Sequence, residues 1–170
     1  MSRGLKSLPL PLHSGDDWTC LHLAQLCFLD TLIIHTTFLS GTRSHSDYGW
    51  LSLPYLIESI PPSSTIRALY LHILLPDLGF RSKSYLRDLD WDFFDMAMAR
   101  LKNVKKVMII IHLFLKPPNG SKSESDAIRI IQDALPSINR RKILKIQFCT
   151  QKWNQMQNFS YWLLKNTCCW

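Results

Sequence analysis

Glycine is scarce, with six in 170 residues. Neither a G-x-x-x-x-G-K-S/T loop nor a G-x-G-x-x-G turn occurs. The glycine-dependent cradles that let a backbone approach nucleotide phosphates are therefore excluded. G-x-S-x-G and H-E-x-x-H are missing as well. The expectation is a non-enzyme with no cofactor, no catalytic residue and no metal. The five cysteines, Cys20, Cys27, Cys149, Cys168 and Cys169, are odd in number and fit no zinc or disulfide frame. Free thiols suit a reducing compartment, so a cytoplasmic or nuclear location is expected. Long apolar runs are also absent. The longest is Val107-Met-Ile-Ile-Ile111, far short of the about 20 residues a membrane helix needs. Acid is in short supply, with 13 Asp and Glu against 20 Lys and Arg, giving a net charge of +7. That balance favours acidic partners, whether protein, nucleic acid or an anionic surface.

What is present is a repeat. Four apolar runs, at residues 29–37, 66–74, 104–115 and 142–149, align on Leu32, Leu69, Val107 and Leu144, which are 37, 38 and 37 residues apart. A fixed period of this size marks stacked supersecondary units. The frame around the anchors agrees. Leu26, Leu29, Leu32 and Ile34 read L-x-x-L-x-x-L-x-L, and Leu101, Val104, Val107 and Ile109 repeat it. Ile66, Leu69 and Leu71 repeat its end, and Ile138, Leu144 and Ile146 repeat it with Arg141 breaking one position.

Helical spacing fills the gaps. Residues 50–60 carry Leu53, Leu56, Ile57 and Ile60, with Pro54 expected in the first turn. Residues 88–101 carry Trp91, Phe94, Met98 and Leu101, with Asp88, Asp90 and Asp92 at the start. Residues 124–135 carry Ile128, Ile131 and Leu135, with Ser123 and Asp126 reading as a capping box and Pro136 as the stop. A further helix is expected over 151–165. The fold class is therefore α/β: about four strand–helix repeats with a parallel sheet, joined by right-handed crossovers into a leucine-rich-repeat-like arc. A small open doubly wound α/β sheet is the alternative, favoured by the wholly apolar third strand. Residues 1–25 read as an N-terminal segment acting as a cap, 26–149 as the repeat domain and 150–170 as a C-terminal helix or tail.

The strand frames, the Ser59-Ile-Pro-Pro62 and Leu135-Pro-Ser-Ile138 lead-ins, and Asp90-Trp-Asp-Phe-Phe94 followed by Leu101-Lys-Asn-Val-Lys-Lys-Val107 resemble the repeat region of fungal F-box/leucine-rich-repeat-like proteins. The resemblance spans residues 26–148. It implies a repeat scaffold that holds a protein target. An F-box opens with Leu-Pro, an acidic residue and an amphipathic helix. Here Leu8-Pro9 is followed by Leu10-Pro-Leu-His13, so contact with a ubiquitin-ligase adaptor is not implied. A repeat fragment without function of its own is a further reading.

Period two sorts each strand's residues between two faces. Leu32, Ile34, Leu69, Leu71, Val107, Ile109, Leu144 and Ile146 should face the helices. The opposite face should show Ile33, His35, Tyr70, His72, Met108, Ile110, His112, Lys145 and Gln147. In a solenoid that face is the usual binding surface. The expected partner-binding residues there are His35, Tyr70, His72, Met108, His112 and Lys145, with His35 beside His72. A second expectation is a basic rim on the loops after the strands, using Arg43, Arg81, Lys83, Lys116 and Lys122 toward an acidic partner. A third is nucleic-acid binding through Lys102, Lys105, Lys106, Arg140, Arg141, Lys142 and Lys145.

Overall fold

The computed structural model describes residues 7–12, 29–37, 48–75, 83–84, 86–87, 89–113 and 121–150. Along the chain these form β1 (Ser7–Leu12), β2 (Thr31–Thr37), α1 (Tyr48–Ser59), β3 (Ala68–Leu75), α2 (Trp91–Arg100), β4 (Lys106–Leu113), α3 (Ser121–Ala134), α4 (Pro136–Arg140) and β5 (Leu144–Thr150). The five strands make one parallel sheet in sequential order, β1-β2-β3-β4-β5. The order never reverses among these strands. Right-handed crossovers between strands taken in sequence deliver their helices to the same side.

The register reproduces the repeat. Leu32 pairs with Leu69, Leu69 with Val107, and Val107 with Leu144. Strand entries repeat as well. Asp30 O accepts from Arg67 N (2.8 Å) and Ala68 N (3.2 Å), and Arg67 O accepts from Lys105 N (2.8 Å) and Lys106 N (3.1 Å). The entries of β3 and β4 thus each dock on the residue that opens the strand before. Side chains join in: Thr65 Oγ1 donates to Leu29 O (2.9 Å) and Asn103 Nδ2 to Ser64 O (2.7 Å).

Burial alternates along β3 and over most of β4, while Ile34–Thr36 and Ile111–Leu113 are buried throughout. On β3, Leu69, Leu71, Ile73 and Leu75 are buried, and Ala68, Tyr70, His72 and Leu74 are half-buried. The buried set joins one core with Leu53, Leu56, Ile57 and Ile60 of the α1 segment, Trp91, Phe94 and Met98 of α2, Ala127 and Ile131 of α3, and Ile138 of α4. On β4, Val107, Ile109 and Ile111 join the same core while Met108 and Ile110 are only half-buried. The apolar third strand is therefore no sign of helices on both faces.

Several elements differ from those expected from the sequence. Residues 7–12, for which no strand was expected, form the first strand of the sheet. Two prolines argue against a strand in general. Pro9 and Pro11 are two apart, so their missing N–H groups fall on one side, and an edge strand has one side without a partner. Helix α1 begins at Tyr48, so position 54 lies in its interior and not its first turn. A proline there leaves the carbonyl four residues back without its usual donor. Helix α2 starts at Trp91, capped by Asp90, whose Oδ1 accepts from Phe93 N at 3.1 Å. Ser123 lies inside α3 and does not cap it. Pro136 both stops α3 and occupies the first turn of α4, where a proline is tolerated. Residues 13–25 of the N-terminal segment and the helix expected over 151–165 lie outside the described residues.

Asp95 works across helices. It is buried, and its two carboxylate oxygens accept from Ser137 N (2.9 Å) and Ile138 N (3.1 Å). It thereby satisfies the open N–H groups at the start of α4 with a negative charge, as a helix N-terminus favours. Asp95→Ala leaves those buried donors unmet and is expected to lower the unfolding free energy by about 2–3 kcal/mol. Asp90→Ala removes one exposed cap bond and should cost about 1 kcal/mol. Urea denaturation of both variants checks the order; equal losses would contradict it.

Candidate partner-binding face

The sheet face turned away from the core is built from alternate residues of adjacent strands. In β2 these are Thr31, Ile33 and His35. In β3 they are Ala68, Tyr70, His72 and Leu74. In β4 they are Lys106, Met108, Ile110 and His112, and in β5 Lys145, Gln147 and Cys149. Lys145 and Gln147 are exposed, and most of the others are half-buried. None of these positions carries Asp or Glu, whereas two are Lys. Lys106 Nζ donates to Tyr70 Oη at 2.8 Å and lies 4.7 Å from that ring's centroid. The phenol thus holds one cation against the sheet.

Three histidines dominate the other end of the face. His35 and His72 are register partners, their ring centroids 4.4 Å apart and tilted by 35°. His112 pairs in register with Leu74, one step beyond on the same face. Its ring stacks on His72 at 5.1 Å and 14°, with 2.9 Å between His72 Nδ1 and His112 Nε2. A hydrogen bond between two imidazole nitrogens needs one donor and one lone pair, so at least one of these rings is neutral. Burial pushes His35 down to about 4, with the His112 charge adding to it. Burial, then the His35 and His112 charges, push His72 down to about 3, and burial lowers His112. The strip is a row of neutral imidazoles at neutral pH.

All six expected face residues lie together here: His35, Tyr70, His72, Met108, His112 and Lys145. The inclusion of His112 in one contact cluster with His35 and His72 was not foreseen. Its signal was present: it stands 40 residues after His72, two more than the local period, and a shift of two keeps the face and moves one step along it.

The basic rim fares differently. Arg43, Arg81 and Lys116 lie outside the described residues. Lys122 is exposed near the start of α3. Lys83 is engaged by Asp126 at 2.9 Å, and its hydrogen bond and charge hold the Asp126 carboxyl below the usual carboxylate range. Lys83 is thus neutralised by its own chain and is no free cation for a partner. Arg141, expected as a phosphate contact, is spent internally on backbone carbonyls.

Among the described residues, no group of three or more His, Cys, Asp or Glu side chains is arranged to hold a metal ion. None of the described helices is long and apolar enough to cross a membrane. Comparison with protein-family models, with characterised proteins and with solved structures finds no match.

Proposed function

We propose that this chain is a non-catalytic protein-interaction module of leucine-rich-repeat-like packing, and that its open sheet face holds the partner. The observation that carries this reading is the face itself: Tyr70, Met108, Ile33 and Ile110 half-buried beside Lys145, with no carboxylate among the described positions. Aromatic and Met side chains are enriched at protein interfaces. A partner bearing acidic side chains complements Lys106 and Lys145. The resemblance to the target-holding repeats of F-box/leucine-rich-repeat-like proteins points the same way.

The test pairs two positions of similar chemistry. Met108 lies on the open face, and Met96 is 62% exposed on α2, on the helical side. A photo-crosslinking methionine analogue placed singly at each position should capture a defined protein in native cells at 108 and not at 96. Tyr70→Ala should abolish that capture. Equal capture at both positions would remove the reading.

A further inference from the structure

The loops that lead into β4 and β5, residues 101–105 and 141–143, lie side by side. Val107 N donates to Ile143 O at 2.9 Å. The Arg141 guanidinium fastens the two loops together. It donates to the carbonyls of Val104 (2.6 Å), Leu101 (3.2 Å), Lys102 (3.4 Å) and Met98 (3.4 Å). One cation is thus spent on fixing the loops, and others stand around it. Lys102, Lys105, Arg140 and Lys142 are all exposed. None of the ion pairs found among the described residues uses these four side chains; they are made by Arg67, Lys83, Arg100 and Arg129. The stretches 101–106 and 139–145 contain no acidic residue.

Lys142 adds an independent observation. Its φ is 57°, in the left-handed region, just past the end of α4, where glycine is the usual occupant. Its N–H donates to Asn139 O at 2.9 Å. The backbone there calls for glycine, and the chain keeps a lysine at the cost of strain. A residue held against its backbone preference points to a role for its side chain.

We infer that this edge of the sheet, at the entries to β4 and β5, binds the phosphate backbone of nucleic acid without regard to sequence, through Lys102, Lys105, Arg140 and Lys142 held in place by the Arg141 clasp. It is a different surface from the open face and does not depend on the partner proposed there. Fixed cations release condensed counterions from phosphates, so binding of this kind weakens steeply with salt. No base-reading element accompanies the patch, so affinity should not depend on sequence.

The probe is a fluorescently labelled mixed-sequence DNA duplex, followed by anisotropy over a salt series with the full chain. The expected plot of log affinity against log salt has a slope of about −3 to −4 for four phosphate contacts. Lys102→Glu, Lys105→Glu and Arg140→Glu combined should weaken binding by at least about tenfold and flatten the slope, with Tyr70 and Met108 untouched. Lys142→Gly is the diagnostic variant. It relieves the left-handed strain, so the melting temperature should rise, while one lost contact lowers the slope by about 0.9. A purely structural Lys142 would give the first effect without the second and would overturn the assignment. So would unchanged binding by the triple variant, or equally tight binding to polyglutamate, a polyanion without phosphates.

Discussion

Phe94→Ala is expected to lower the unfolding free energy by about 3–5 kcal/mol, while its neighbour Phe93→Ala costs about 1 kcal/mol. Phe94 is wholly buried in the core beneath the sheet, 6.2 Å from the Trp91 ring in an edge-on arrangement. Truncating it loses the transfer energy of the ring and leaves a cavity that the flanking strands cannot collapse to fill. Phe93 lies on the outer side of α2, its ring 5.1 Å from the largely exposed Tyr55. The pair of variants therefore tests which side of α2 meets the sheet. Chemical denaturation gives the answer, and similar losses at the two positions would contradict the one-sided core. Domains are stable by only about 5–15 kcal/mol, so Phe94→Ala should leave a chain near its unfolding threshold at ambient temperature.

Acid should destabilise the chain through the histidine strip. His35, His72 and His112 are held below their free pKa in the folded state, the first two to about 4 and about 3. The unfolded chain therefore takes up protons first as the pH falls. The stabilisation is complete well above pH 6.5. It is lost as the pH drops through 6.5, and the loss continues until the folded groups themselves titrate. Each histidine contributes a slope of up to about 1.4 kcal/mol per pH unit in that window. His35 and His112 are buried, at 8% and 7% exposure, and His72 is half-buried, so solvent screens their charge only in part. Between pH 7 and pH 5 the whole strip should accordingly cost about 2–4 kcal/mol. His72→Gln removes the central ring, its contacts with both neighbouring rings and the shared hydrogen bond. Its stability should vary less with pH than that of the native chain. Parallel profiles for the two proteins would show that the strip is not the source.

The strip also bears on binding. A row of imidazoles that stays neutral presents hydrogen-bond donors and acceptors without charge. The positive charge of the open face is then confined to Lys106 and Lys145, at the end nearer the strand entries. A partner seated on this face would meet a cationic end and a neutral polar end. Carboxylates placed over the histidines would raise their pKa and draw in protons, so the tightness of such a complex should increase on mild acidification.

Much of this was legible because the repeat is written in apolar residues. The anchors Leu32, Leu69, Val107 and Leu144 fall into register as the period requires, since a parallel sheet with constant crossovers turns equal spacing into adjacency. The face assignment follows from period two. What escaped was carried by polar groups whose partners are distant in sequence. Asp95 lies close in sequence to the acids at the start of α2, yet it serves a helix beginning at Pro136. Arg141 reads as a defect in the frame, yet it ties together the turns that precede β4 and β5. Proline misled once for a related reason. Pro54 is placed from sequence by the donor it lacks, and the cost of that lack depends on whether a neighbour needs the bond.

Equally spaced apolar strands lie side by side in sequence order in this fold. NMR contacts between backbone protons test it most directly. Amide-to-α contacts of the parallel type are expected to join the segments around Leu32, Leu69, Val107 and Leu144, each only to its neighbours in that order. Close α-to-α contacts of the antiparallel type, or helical shifts across any of the four segments, would contradict it.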